Sequence, residues 1–240
     1  MTHFDAHIVA SQRPPDAPPA ELAGAVLYGA HAAEQCRRLR DLYAERRWQH
    51  AEALSHLVGP DDERFPATSP GVIDLQLAEA VEGAQLRKAA SDWWPLARAV
   101  AANKQVLRLN LPPGASTAVG VRRLAQRFDR TTFLVDPFRH GPVAGWQAQV
   151  RLAEQHNIWL TTLGLVPGAA CRWPRHDEIE EAIYFTTGEV GAGKLLLASG
   201  RAWPDMRSAP APEEWLGRVT SLEQAERALV LEKNARDLFG

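Results

Sequence analysis

The feature that most constrains the fold is a regular alternation of short apolar runs and amphipathic stretches along the second half of the chain. The runs QVLRLNL (105–111), TTFLVDPF (131–138), NIWLTTLGL (157–165) and KLLLAS (194–199) are each followed, after a loop, by a helical pattern. Short runs that are apolar on both sides indicate strands covered on both faces. Strands that alternate with helices are typical of a parallel sheet.

The first half carries weaker strand signals of the same kind. They lie at HFDAHIVA (3–10), AGAVLYGAH (23–31), somewhere within RFPATSPGVID (64–74), and at AQLRKAA (84–90). Together these make about eight strands, most of them followed by helical patterns. The sequence therefore predicts an α/β fold, a (β/α)8 TIM barrel formed as one compact domain over residues 1–240. A doubly wound open sheet is the alternative, which strand counting does not exclude.

A glycine-rich stretch, TTGEVGAGKLLLAS (186–199), matches the phosphate-loop spacing at Gly188, Gly193 and Lys194. A phosphate loop follows a strand and precedes a helix, so that backbone N–H groups face the phosphate. Here the order is reversed, because a helical pattern precedes the glycines and a strand pattern follows Lys194. Leu195 also occupies the position of the Mg²⁺-binding hydroxyl. We predict a turn between a helix and a strand.

Composition excludes several classes of function. The formal net charge is −2 and no Lys/Arg-rich run occurs, which argues against a nucleic-acid partner. Cys36 and Cys171 are the only cysteines, so neither a disulfide framework nor a thiolate zinc site is indicated. No apolar run approaches a membrane span, and the N-terminus lacks the pattern of a signal peptide. The sequence predicts a cytoplasmic protein without a membrane partner, and leaves a homo-oligomer open.

Candidate functional residues follow the predicted strands, where barrels place their sites. The polar residues at these positions are Asp5, His7, Tyr28, His31, Arg87, Arg108, Asn110, Asp136, Arg139, His140, Thr161 or Thr162, and Arg201. The densest group is VDPFRHGP (135–142). Arg is rare on buried strands unless it is paired or faces a site. Asp5 or Asp136 accounts for part of this positive charge by pairing, and the remainder predicts a pocket for a carboxylate or phosphate.

Four segments carry a resemblance to a known family, in register from end to end and best over 130–240. FDAHIV resembles an opening I-D-x-H-x-H, and FLVDPFRHGPVAGWQAQVRLAEQHNIWLTTLGL resembles a D-H-x-G strand, a Trp-led helix and N-V-x-x-K-x-S-G-L. The family's last strand carries G-S-D-W-P, which KLLLASGRAWP resembles. Its ending, N-A-x-R-L-F-G, is resembled by NARDLFG. The chain thus resembles the amidohydrolase-related family, which are TIM-barrel metal-dependent hydrolases and decarboxylases.

The resemblance implies a divalent metal at the barrel mouth, held by four histidines and an aspartate that also accepts a proton from the attacking water. His7 matches the first of these positions, but Val9 occupies the second. The fifth-strand position falls on Leu109 or Asn110, Pro137 replaces the sixth-strand histidine, and Ala202 replaces the aspartate. A zinc site needs at least three protein ligands, so we expect no metal cofactor.

The preferred hypothesis is a diverged barrel that binds, or acts without metal on, a small anionic molecule of carboxylate type. His7, Asp136 and His140 would supply acid–base or hydrogen-bonding groups; Arg108, Asn110, Arg201 and His31 would contact the ligand. One alternative is a working hydrolase or decarboxylase with one divalent metal such as zinc, held by His7, His31, His140 and an aspartate. Another is a non-catalytic interaction or scaffold subunit.

Overall fold

The structure, a computed structural model, describes residues 3–9, 22–28, 49–56, 71–76, 106–111, 115–168, 171–202 and 212–239. Side-chain surroundings are described only beyond residue 105, and not for Asn110, residues 115–117, Ala202 or residues 212–213. Within these ranges no helix is long and apolar enough to cross a membrane.

Nine strands form one sheet in which every described pairing is parallel. They are β1 His3–Val9, β2 Leu22–Tyr28, β3 Gln49–His56, β4 Gly71–Gln76, β5 Val106–Asn110, β6 Thr132–Val135, β7 Ile158–Thr161, β8 Leu195–Leu196 and β9 Arg201–Ala202. The strand order is β8-β7-β6-β5-β4-β3-β2-β1-β9, so consecutive strands from β1 to β8 are neighbours. The prediction of a parallel α/β sheet is confirmed.

The helices that the structure describes lie between and after the later strands. They are α1 Ala115–Arg127, α2 Trp146–Val150, α3 His176–Val190, α4 Pro212–Gly217, α5 Gln224–Ala228 and α6 Asn234–Phe239. A 3₁₀ turn, Arg151–Glu154, extends α2, and a π-helical segment, Leu229–Lys233, joins α5 to α6. The side chains of Glu223 and Glu226 form a capping box at the start of α5.

One face of the sheet packs against the helices and is apolar. This helix face comprises the buried residues Leu107, Leu109, Phe133, Val135, Ile158, Leu160 and Leu195. Against it lies one stripe of α3, whose buried residues Ile179, Ala182, Ile183 and Thr186 recur at the spacing of an amphipathic helix. The helix face is therefore the main hydrophobic core of the described half of the chain.

The other face, called here the polar face, is formed by the residues that alternate with the helix face. Part of it is apolar, with Val106, Leu134 and Leu196 packed near Leu238 and Phe239 of α6. The same face also carries Arg108, Asp136 and Thr161. Side chains of successive strand residues point to opposite faces, so this alternation separates the two environments.

The glycine-rich stretch is a turn, as predicted. α3 ends at Val190; the next residue, Gly191, has a φ of 79°, and a 3₁₀ turn, Ala192–Lys194, leads directly into β8. Lys194 donates its Nζ proton to the His156 carbonyl at 2.6 Å and lies 4.9 Å from the Trp159 ring centroid. Burial lowers the pKa of Lys194. Its ammonium group therefore binds the carbonyl just before the amino end of β7.

The first half differs from the sequence prediction at β3, Gln49–His56, which was not predicted. The weak strand signal at 64–74 corresponds to β4 at Gly71–Gln76. The predicted strand at 84–90 lies outside the described residues. β4 pairs directly with β5, with Val72 opposite Val106. β5 is therefore the fifth strand of the sheet, and it lies in the run 105–111 that the sequence predicted as the fifth strand.

Candidate functional site

A buried ion pair joins the middle of β5 to the residue that follows β6. Arg108 is 1% exposed and Asp136 is 4% exposed. Arg108 donates from Nε to Asp136 Oδ2 at 2.7 Å and from Nη2 to the same oxygen. The register places Arg108 opposite Leu134, so Asp136 lies two residues further along the same face. Asp136 is one of the two carboxylates that the sequence offered as partners; the side chain of the other, Asp5, lies outside the described residues.

Thr161, the last residue of β7, completes this group. Its hydroxyl donates to Asp136 Oδ1 at 2.5 Å, and its oxygen accepts the backbone N–H of Leu163 at 3.2 Å. Both oxygens of Asp136 therefore have donors, as a buried carboxylate requires. Sequence reasoning placed Thr161 at a strand end without giving it a role. The available signal was its alternation with Leu160, which puts it on the same face as Asp136.

A second buried arginine lies where the chain returns to β1. Arg201 is 3% exposed, and its Nη2 donates to the Pro167 carbonyl in the loop after β7 at 3.0 Å. Its backbone N–H donates to the hydroxyl of Ser199 at 3.2 Å. The loop that follows β7 is thus joined to the side chain of the first residue of β9.

Backbone register puts two of the family-motif positions side by side. β9 pairs with β1, with Arg201 opposite Ile8 and Ala202 opposite Val9. His7 lies one residue before Ile8, within the irregular part of the β1–β2 pairing. The side chains of His7, Asn110 and His31 lie outside the described residues; Asn110 is the last residue of β5, with Gln76 as its partner.

His140 lies at the surface of the loop after β6. Its Nε2 lies 3.0 Å from the carbonyl oxygen of Leu111, to which it donates when protonated there. Since the carbonyl only accepts, this contact favours the Nε2–H tautomer and ties the loop to the residue after β5. The acid–base role of His140 stays a prediction.

The loops after β6 and β7 interlock. Trp173 donates from Nε1 to the Phe138 carbonyl at 3.0 Å, and the Arg172 N–H donates to the Gly164 carbonyl at 2.9 Å. Gly164 has a φ of 101°, and a Cβ added there would lie 2.3 Å from the Phe138 oxygen. Glycine is required at this contact because the two backbones approach too closely for any side chain. The loops after β6 and β7 are therefore held together by a hydrogen bond and a close backbone contact.

The described side chains do not suit a divalent cation. Among them, no three His, Cys, Asp or Glu residues are grouped so that they could hold a metal ion. Asp136 is the one buried carboxylate in this part of the chain, and the Arg108 guanidinium already neutralises it. A cation approaching Asp136 would be repelled by Arg108, and breaking the pair would leave a buried charge uncompensated.

No protein-family model matches the chain, and no curated protein matches it. Solved structures match it over nearly its whole length. An amidohydrolase from Burkholderia multivorans with bound zinc is 19% identical, with 100% of this chain and 99% of that chain covered and a TM-score of 0.65. Amidohydrolase 2 from Bifidobacterium longum subsp. infantis is 18% identical, with 99% and 98% covered and a TM-score of 0.61.

A third structure is a probable 2-pyrone-4,6-dicarboxylic acid hydrolase from Acinetobacter baumannii with citric acid bound. It is 15% identical, with 100% of both chains covered and a TM-score of 0.61. Identities this low leave the fold as the shared property. The resemblance predicted from the sequence is confirmed at that level: this chain has the fold of the amidohydrolase-related proteins.

Proposed function

We propose that the chain binds a small carboxylate-bearing molecule, without a metal ion, at the carboxyl ends of its strands. The observation that carries the proposal is the burial of two arginines: Arg108, which is bonded to Asp136 just after β6, and Arg201, which lies opposite Ile8 near the end of β1. Buried guanidinium groups at strand ends are the groups best suited to hold a carboxylate through two parallel N–H···O bonds. Citric acid bound to the Acinetobacter relative is a ligand of this chemical class.

The proposed site lies at the mouth of a closed (β/α)8 barrel. Closure is supported by the short connection between the outermost strands, because only residues 197–200 separate β8 from β9. Five residue steps reach at most about 18 Å. In a flat nine-stranded sheet those two strands would be about 38 Å apart. α6 also contacts β1, β3 and β8, which a strongly curved sheet brings together.

Independence from metal is supported by the residues at the family-motif positions. Val9 and Ala202 are register partners, and neither carries a ligand atom. Pro137 follows Asp136 where the resemblance expects an imidazole. Asp136 itself is engaged by Arg108 and Thr161. His7, Asn110, His31 and His140 are proposed to contact the ligand or exchange protons with it.

Calorimetric titration with citrate after treatment with a chelator tests the proposal. We expect the metal-free protein to bind citrate, and Arg201→Gln to weaken binding by about tenfold to a hundredfold through loss of a charge-assisted contact. Arg123→Gln is the matched control, because Arg123 is an exposed arginine on α1. An absence of binding, or equal affinities for wild type and Arg201→Gln, would overturn the proposal.

A second candidate, favoured by the zinc in the Burkholderia structure, is a zinc-dependent hydrolase or decarboxylase. Its ligands would be His7, His31, His140 and an aspartate. Elemental analysis of the purified protein distinguishes the two candidates, because this one requires stoichiometric zinc that His7→Ala removes. Zinc at well below one equivalent, with no response to His7→Ala, would eliminate it.

A further inference from the structure

Asp136 is held asymmetrically. Both donors from Arg108 converge on Oδ2, whereas Oδ1 receives the Thr161 hydroxyl. The terminal torsion of an aspartate is broad, so one oxygen bound to arginine does not by itself set the plane of the carboxylate. Thr161 supplies the second point that defines that plane.

The hydroxyl of Thr161 has its own direction set by the backbone. Its oxygen accepts the N–H of Leu163 at 3.2 Å, and a threonine hydroxyl carries a single proton. That proton is directed to Asp136 Oδ1. The group thus runs from the backbone after β7, through Thr161 and Asp136, to the guanidinium of Arg108 on β5.

We propose that Thr161 is a positioning residue for ligand recognition. By setting the plane of the Asp136 carboxylate, it sets the orientation in which Arg108 faces a bound carboxylate. This inference rests on the proposed function, because it assigns Thr161 a task in the same site. Loss of the hydroxyl lets the carboxylate rotate, and the guanidinium bonded to it then shifts relative to a bound carboxylate.

The neighbouring Thr162 is a matched control. It is as buried as Thr161, but its hydroxyl bonds the backbone of Ala198, donating to the carbonyl at 3.3 Å and accepting the N–H at 3.0 Å. Removing either hydroxyl deletes one buried polar group from the end of β7. Only Thr161 touches the ion pair.

The test compares citrate affinity, by calorimetry, for wild type, Thr161→Val, Thr161→Ser and Thr162→Val. We expect Thr161→Val to weaken binding by about tenfold, the serine variant to stay within about twofold, and Thr162→Val likewise. If Thr161→Val does not fold, Thr161→Cys, whose thiol is a weak donor, takes its place. Equal loss in Thr161→Val and Thr162→Val, or no rescue by serine, would overturn the inference.

A readout without ligand separates this inference from the proposed function. The Arg108 Nε–H, recognised by its disappearance in Arg108→Lys, is expected to give a slowly exchanging NMR signal that shifts and exchanges faster in Thr161→Val. A protein that shows this change but does not bind citrate contradicts the ligand assignment alone. A signal that is unchanged by Thr161→Val contradicts the positioning role, whatever binds.

Discussion

The two faces of the sheet from β5 to β8 differ in what stabilises them. The helix face is a continuous apolar core, with Phe133, Leu160 and Leu195 fully buried against the helices. The polar face has only a smaller apolar cluster and carries a buried ion pair beside it. Burial of apolar area stabilises the fold directly, whereas a buried ion pair contributes little net stability. We infer that the helix face serves folding and the polar face serves recognition.

The largest expected effect is on stability, from the helix face. Phe133→Ala should lower the free energy of unfolding by about 3–5 kcal/mol, because it removes a fully buried ring and leaves a cavity. Chemical denaturation measures this change. Val119→Ala on α1 is the control, since Val119 is 54% exposed and should change stability by less than about 0.5 kcal/mol. A small loss for Phe133→Ala would mean that this face is not the core.

Breaking the ion pair should cost about 3 kcal/mol, because Arg108→Met leaves Asp136 as a buried charge without its partner. The double variant Arg108→Met with Asp136→Leu removes both charges. It should regain most of that stability, as measured by denaturation, while binding of citrate is lost. If the double variant is no more stable than the single one, the pair contributes to folding and the contrast between the faces is wrong.

The contact between the loops after β6 and β7 offers a smaller effect. Gly164→Ala should lower stability by about 1–3 kcal/mol, because an L-residue is strained at this positive φ and its Cβ would overlap the Phe138 carbonyl. Gly193→Ala is the matched control, since nothing lies within 4 Å of a Cβ added there. Thermal unfolding of both variants measures the difference. Equal melting temperatures would show that the two loops do not interlock.

The smallest expected effect comes from Glu180 on α3, whose carboxylate binds the backbone at Thr220 and Ser221. Burial raises the pKa of the Glu180 carboxyl, but hydrogen bonds from the backbone N–H groups of Thr220 and Ser221 outweigh it, so that pKa lies below its ordinary value. A depressed folded-state pKa gives stability that is fully present above the unfolded-state pKa and is lost as the pH falls through the folded-state value.

Glu180→Gln should therefore lower the free energy of unfolding by about 1 kcal/mol at pH 7. The gap between the variant and wild type should narrow as the pH falls below the ordinary carboxyl range. Denaturation curves at several pH values measure it. A difference in unfolding free energy that stays constant down to the lowest pH measured would contradict the assignment of this pH dependence to the Glu180 carboxylate.

Much of the fold could be predicted because strand and helix patterns alternate clearly beyond residue 105. β5, β6 and β7 lie within the predicted runs, and α3 begins at His176 as predicted. β3 was missed because QHAEALSH contains alanine and glutamate, which are uncommon in strands. Its strand conformation comes from pairing with β2 and β4, which a local pattern does not reveal. α4 was missed because it is short and begins at Pro212, after a Pro-rich stretch.

The sequence predicted the charged residues of the candidate site but not the hydrogen bonds that they make. Arg108, Asp136 and Arg201 were singled out because charged residues are rare on buried strands. Thr161 gave no such signal, since threonine is common in strands and its role depends on register with β6. The Pro167 carbonyl that receives Arg201 is a backbone group, so no residue type could have indicated it.

The most direct test of metal-free carboxylate recognition is a crystal structure of chelator-treated protein soaked in citrate. We predict density for a carboxylate against Arg201 and Arg108, with Thr161 still bonded to Asp136 and no anomalous signal at the zinc edge. A zinc ion bound by protein nitrogens and oxygens in that position, with citrate attached to it or absent, would contradict the account.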